Sequence, residues 1–453
     1  MQHEKFHYAS LAAVKEKAEE LKIKLPLSVH WELLKQPLYI NGCKVHNRLA
    51  IQPMEGCDGT AEGSPDTLTF RRYRRFAQSG AGLIWAEAVA VVPEGRANPR
   101  QLMLTEKNLD AFKSMVESIR ETSLKENGFE PLLIMQATHS GRYSKPDGIP
   151  TPLIAYHNPP LEEKQAIGES SVVSDDYLKA LTEQYAASAR LALKAGFDGV
   201  DIKACHRYLI SELFSAFDRP GLYGGSFMNR TRLLREAVSA AKSAVPSSFI
   251  ITSRMNLYDG LPYPWGWGVS KDSGRTPDMT EPGRLAELLF KELDIRLLNF
   301  TTGNPYFNPH VNRPYDSGPY EPDEHPLESV ARMCNCIGEI KQSLPELTVI
   351  SSGTSYLRQF SVNLAAGMIE SGQTDIAGFG REAFAYPEFA GDILGTGSLE
   401  PGKCCTTCSK CSQLMRAGSV AGCVIRDREM YLPIYKRDVL NNAEDITHKI
   451  SID

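Results

Sequence analysis

An α/β fold built as a (β/α)8 barrel is what the sequence predicts, and three observations predict it. Eight short apolar runs recur between residues 48 and 380, and amphipathic stretches of helical period lie between most of them. Two connections that follow a run are too long, and too rich in Gly, Pro and aromatics, for scaffolding. Runs apolar on both faces mark parallel strands covered by helices, so a doubly wound sheet is the second choice.

In chain order, residues 1–37 form a polar extension with one amphipathic helix, SLAAVKEKAEELKIK, that caps the body. The barrel follows over 38–402. Its strands are RLAIQPM (48–54), GLIWAEAVAVV (82–92), PLLIMQA (131–137), DGVDIKA (198–204), FIITSRM (249–255), IRLLNFT (295–301), LTVISSG (347–353) and DIAGFG (375–380). Helical patterns such as TLTFRRYRRFAQSG, LKALTEQYAASARLALKAG, RTRLLREAVSAAKSAV and PGRLAELLFKEL separate them. The long connections, 138–175 and 256–280, each follow a strand, so both overhang the catalytic face of a barrel. Residues 403–453 are first cysteine-rich and then charged, an appendage on the barrel.

With 453 residues, 42% hydrophobic and 23% charged, the chain buries a large core. A net charge of −5 gives no general attraction to nucleic acid, and no basic-then-apolar leader or membrane-length apolar run is present. The expectation is a cytoplasmic protein without a nucleic-acid or membrane partner, acting on a small molecule. Barrels of this kind commonly associate, so a homo-oligomer is also expected.

Polar residues cluster where the strands end. Gln136 ends the third strand, Lys203 and His206 follow the fourth, and Arg254 ends the fifth. Convergent polar groups at one mouth suit a ligand with many hydrogen-bonding edges. After strands seven and eight, Gly353, Gly380 and Arg381 sit where a barrel commonly binds phosphate, with glycine backbone N–H groups and a bidentate cation.

The stretch KCCTTCSKC (403–411) places Cys405, Cys408 and Cys411 at two-residue gaps, and Cys423 follows after a gap of eleven residues. Thiolates so spaced can reach one inorganic centre, and a fourth from a nearby turn completes the ligation; spacing alone leaves zinc and a 4Fe–4S cluster both open. Cys43, Cys57, Cys205, Cys334 and Cys336 read as buried, inert thiols.

Taken together, NRLAIQPM, QATHSGRY (136–143), FDGVDIKACHRYLISELFSAFDRPGLYGGSFMNRTR (197–232), SRM (253–255), SSGT and GFGREAF resemble the Old Yellow Enzyme family of flavin-dependent ene-reductases over about residues 38–430. The resemblance implies FMN on the barrel mouth. Pro53, Met54 and Glu55 lie along the flavin ring with Ala88 near its edge, Gln136 and Arg254 bond its pyrimidine end, and Ser352, Gly353, Gly380 and Arg381 hold the phosphate. It implies hydride transfer to the β-carbon of an activated alkene, a bulky enone such as a steroid or an enoate. Tyr208 maps to the proton donor, and Lys203 and His206 occupy the positions that anchor the substrate.

Three positions depart from the family pattern: Lys203 stands where His is usual, Arg207 where Gly is, and Glu55 where a small or sulfur-containing residue is. Reductases in the dienoyl-CoA branch place a histidine in the loop TTGNPYFNPHVNRPYD (301–316), which makes His310 a candidate second acid. The same branch binds a 4Fe–4S cluster after the eighth unit, which implies Cys405, Cys408, Cys411 and Cys423 as its ligands. No second Rossmann-like unit is read after Cys423. The FAD- and NAD(P)H-binding domains of that branch are therefore expected to be lacking, and electrons to come from NAD(P)H at the flavin or from a separate donor protein. The rival readings are an amine dehydrogenase or demethylase using the flavin as hydride acceptor and the cluster as exit, and a non-enzymatic electron-transfer or scaffold subunit.

Overall fold

The computed structural model describes residues 4–273 and 276–441. Eight parallel strands close a barrel: β1 (Leu49–Ile51), β2 (Leu83–Ala90), β3 (Leu132–Thr138), β4 (Gly199–Ile202), β5 (Ile250–Asn256), β6 (Leu297–Thr301), β7 (Thr348–Ser351) and β8 (Ile376–Phe379). Each pairs with its sequence neighbours, and β8 closes on β1 through Ala377–Leu49, Gly378–Ala50 and Phe379–Ile51. All eight expected strands are present, most of them shorter than their apolar runs. Pro53, Met54, Lys203 and Ser352 have left the ladders and belong to the rim.

Helices fill the connections because their apolar stripes match the outer face of the sheet. The helix Thr67–Ala77 starts at Asp66 in a capping box with Thr69, and Asp175–Lys194 starts at Ser174, whose hydroxyl accepts from the Tyr177 N–H. The helix expected near the N-terminus forms at Leu11–Glu20, capped by Ser10. Residues just before it reach across the molecule: the Phe6 N–H donates to Asp316, and Phe6 packs edge-on to Tyr356.

One element was not expected. Leu38–Ile40 and Cys43–Val45 form an antiparallel hairpin turned by Asn41 and Gly42, both with positive φ. Ile40 and Val45 pack against Leu83, Leu132, Ile250, Leu297 and Ile376 at the starts of the strands. The hairpin thus plugs the bottom of the barrel. Among the described residues no helix is long and apolar enough to cross a membrane.

Candidate functional site

At the opposite end, where the strands finish, lies a cavity of about 920 Å³. Pro53, Met54, Glu55, Gln136, Lys203, His206, Tyr208, Arg254 and Arg381 line it, and residues of the 138–175 connection, among them Pro150, Leu161 and Ile167, form its outer wall. Nine of the residues singled out in the sequence therefore share one chamber.

Its floor is held by a buried carboxylate. Asp201 of β4 accepts from Trp85 Nε1 at 2.8 Å, Gln136 Nε2 at 2.6 Å and the Arg254 N–H at 2.6 Å. Burial pushes its carboxyl up to about 6. Because Gln136 spends its NH2 on Asp201, its amide oxygen is the group left for a ligand. Ser352 adds a hydroxyl between Gln52 Nε2, at 3.1 Å, and Arg254 Nη2, at 3.4 Å.

The guanidiniums are the chamber's unusual feature. Arg254 and Arg381 are buried, yet neither makes an ion pair among the described residues, and Arg254 Nε and Arg381 Nη1 have no hydrogen-bond partner. Arg381 spends Nη2 on the Pro314 carbonyl at 2.9 Å. Arg313 opens onto the same cavity, its guanidinium held below the usual arginine range by burial and then by Arg381 facing it. A folded chain tolerates buried cations with free N–H groups when an anion completes them. Gly380 lies beside Met54, where an added Cβ would sit 3.2 Å from the sulfur, and Gly353 turns the chain at φ +89°, with Met333 closing the space a Cβ would need.

Above this floor stand the acid–base groups. Tyr208 is only 1% exposed, its hydroxyl 2.8 Å from that of Tyr306 and 3.5 Å from Glu55 Oε1. Lys203 Nζ lies 3.7 Å from Glu55 Oε1 and 3.7 Å from the centre of the Tyr208 ring. Burial, then Glu55, drives the phenol well above its ordinary value, whereas burial lowers the Lys203 ammonium. His206 is driven far down by burial and then by Arg254, Lys203 and Arg313, so its ring is neutral. Asn312 Nδ2 donates to the Thr302 carbonyl at 2.7 Å and faces His206 Nε2 at 3.3 Å. Asn312 Nδ2 also donates to Thr301 Oγ1 at 3.1 Å, which with the Thr302 bond uses both of its N–H groups.

Arg207 does not line the chamber. His206 and Arg207 both adopt positive φ, which turns the guanidinium behind the site onto Asp259 at 3.0 Å, Ser215 at 2.5 Å and the Tyr156 hydroxyl at 3.1 Å. His310 likewise does not line the chamber: Nδ1 bonds the Tyr320 hydroxyl at 2.6 Å and Nε2 lies 3.5 Å from Glu324. From the same loop it is Tyr306, stacked on Tyr143 at 4.0 Å, that lines the chamber. Ala88 is buried on β2 opposite Gln136.

Cys405, Cys408, Cys411 and Cys423 line one small cavity together with Arg381 and Phe384, and Cys411 also borders the large chamber. All four are free thiols. Backbone N–H groups donate to two of the sulfurs, Thr407 to Cys405 at 3.4 Å and Arg426 to Cys423 at 3.3 Å. Burial raises the Cys405 and Cys423 thiols. Among the described residues, no group of three or more His, Cys, Asp or Glu side chains is gathered as a metal site. Cys404 points elsewhere, donating to the Glu400 carbonyl at 3.4 Å.

Comparison with known proteins extends these observations. An NADPH dehydrogenase of Bacillus pumilus is 33% identical over 210 residues, 45% of this chain and 58% of that protein. The chain thus spans somewhat over half the length of such curated relatives. Among solved structures, a 2-naphthoyl-CoA reductase in complex with 2-naphthoyl-CoA superposes with a TM-score of 0.72 at 19% identity, covering 88% of this chain and 57% of that one. The Old Yellow Enzyme homologue of Zymomonas mobilis gives 0.60 at 21% identity, covering 81% and 94%. At such identities the two structures speak for the barrel fold. The profile of the NADH:flavin oxidoreductase / NADH oxidase family matches residues 33–264, just over half of the 453, and the chain belongs to that family.

Proposed function

We propose that the chain is an FMN-dependent ene-reductase that also carries a 4Fe–4S cluster, with NAD(P)H or an electron-carrier protein as the source of electrons. The observation that carries the reading is the pair of buried, unneutralised guanidiniums of Arg254 and Arg381 in a chamber that also holds a buried tyrosine hydroxyl. The donor set fits FMN. Gln136 and Arg254 would hold the pyrimidine end, Pro53, Met54 and Glu55 would border the ring with Ala88 behind, and Ser352, Gly353, Gly380 and Arg381 would hold the phosphate. Bound FMN supplies the hydride for the β-carbon of an activated alkene.

The remaining chemistry belongs to the chain. The neutral His206 ring, through its N–H, and the Lys203 ammonium polarise the carbonyl or carboxylate of the substrate, favouring the enolate over the ground state. Tyr208 gives its proton to the α-carbon. A chamber of about 920 Å³ suits a bulky enone or an enoate. The thiols of Cys405, Cys408, Cys411 and Cys423 suit a 4Fe–4S centre, because two already accept amide N–H groups, a common outer support of cluster sulfurs.

The protein purified without oxygen is expected to show flavin bands and a broad shoulder that dithionite bleaches. Flavin bands without the shoulder remove the cluster, and a colourless protein removes both. Tyr208→Phe should lower alkene reduction about a hundredfold with flavin still bound, measured as the rate at which pre-reduced enzyme is oxidised by an enone.

A further inference from the structure

Tyr208 has a difficulty of its own once it has served as acid. Its hydroxyl is buried, and the phenolate left behind must regain a proton before the next turnover. Two protic side chains reach it, Tyr306 at 2.8 Å and Glu55 at 3.5 Å. Tyr306 is half-buried, lines the chamber as well and stacks on Tyr143, whose hydroxyl accepts from Asn304 Nδ2 at 2.6 Å. Glu55 differs in chemistry: its side chain, 15% exposed, lines the chamber and carries a carboxylate, which exchanges protons with solvent far more readily than a second phenol does. Lys203, 3.7 Å from the carboxylate and 3.7 Å over the phenol ring, is placed to stabilise the negative charge on either group.

We propose that Glu55 reloads Tyr208: its carboxylate takes a proton from solvent in the chamber and passes it to the phenolate oxygen, returning to the carboxylate it began as. Lys203 holds the charge during the exchange, and Tyr306, donating to the Tyr208 oxygen, keeps that oxygen aimed at Glu55. One proton enters from solvent for each one delivered to the α-carbon, and no electrons move. Glu55 is a positioning and relay residue here, acting on substrate only through Tyr208. The proposal rests on Tyr208 being the proton donor. The ionisable groups facing the pair are Lys203 at the end of β4, Tyr208, Tyr306 and Tyr143 from the rim, and Cys57 beside Glu55, itself raised by burial and by Glu55.

The test compares the first turnover of pre-reduced holoenzyme with steady-state turnover on one enone. In Glu55→Gln the ratio of first-turnover to steady-state rate should rise about tenfold above about pH 8, with a larger solvent isotope effect on the steady state alone. Acetate should restore part of the steady-state rate of Glu55→Ala. A readout without turnover is the titration of the cofactor-free protein: the tyrosinate absorbance missing from Tyr208→Phe should appear at lower pH in Glu55→Gln, because no carboxylate then opposes the phenolate. An unchanged ratio with no acetate rescue, or an unmoved tyrosinate titration, overturns the relay. If Tyr208→Phe leaves the first turnover unaltered, the assignment of Tyr208 fails instead, and the relay falls with it.

Discussion

Buried arginines in this barrel contrast sharply, apart from Arg96, which spends its guanidinium on the Ala61, Pro99 and Gln101 carbonyls. Arg72 is enclosed by Asp58, at 2.8 and 3.1 Å, and by Glu87 at 2.5 Å; Arg142 is bound by Glu212 and Glu162; Arg230 by Glu281. Arg254 and Arg381 are as deeply buried and have no such partner among the described residues. A buried charge left alone costs several kcal/mol, and the first group avoids that cost within the chain. In the second group the counter-charge is left to come from outside. The difference separates scaffold from site: Arg72 also donates to the Met54 carbonyl at 3.3 Å, and its partner Glu87 accepts from the Gly56 N–H at 3.0 Å, so the closed cluster fixes the loop on which Glu55 rides.

Substitution can break this contrast from either side. The largest effect is expected at the closed cluster. Arg72→Met leaves Asp58 and Glu87 buried without their cation and should cost about 3–5 kcal/mol of stability, read from denaturant unfolding of the cofactor-free protein. A loss under about 1 kcal/mol would mean that the cluster is not what holds the 54–58 loop. At the open pair the opposite pattern is expected. Arg381→Met should change cofactor-free stability by no more than about 1 kcal/mol, since it gives up a single carbonyl bond and relieves an unpaired charge. Flavin affinity, followed by quenching of flavin fluorescence, should meanwhile fall about a hundredfold, or ~3 kcal/mol. A variant that unfolds yet keeps its flavin would reverse the two roles.

Much of this was legible in the sequence, and the gaps have physical reasons. Parallel strands buried on both faces write themselves as apolar runs, and all eight were found by that signature. The chamber's polar lining was legible too, because a charge at the carboxyl end of such a run has few structural uses. Arg207 was not legible. The sequence marks it only as an arginine where Gly is usual, and two successive positive φ values and Asp259, far along the chain, send it behind the site. In the 301–316 loop, histidine drew attention by its chemistry, but loop conformation follows tertiary contacts, and these give Tyr306 to the chamber and His310 to Tyr320 and Glu324. The plugging hairpin did carry a signal, Asn41-Gly42, the commonest pair for a two-residue turn with two positive φ values.

The smallest expected effect concerns how the closed cluster responds to pH. One guanidinium faces two carboxylates there, so one acid is in excess. Burial, with Asp58 adding to it against the pull of Arg72, raises Glu87 from the ordinary carboxylate range to about 7. A carboxyl raised on folding binds its proton more tightly in the native state, so its contribution is fully present below the unfolded value. It is then lost as pH rises through the raised one. Between about pH 4.5 and 7 this site alone should make the protein less stable as pH increases, against the trend of carboxylates paired at the surface. Glu87→Gln keeps the shape and removes the titration. Unfolding measured across that window should therefore show a shallower loss, or a steeper gain, of stability with pH in the variant than in the wild type. Identical slopes would mean that Arg72 neutralises both acids at once, and the closed cluster would then carry a net negative charge where the open pair carries a positive one.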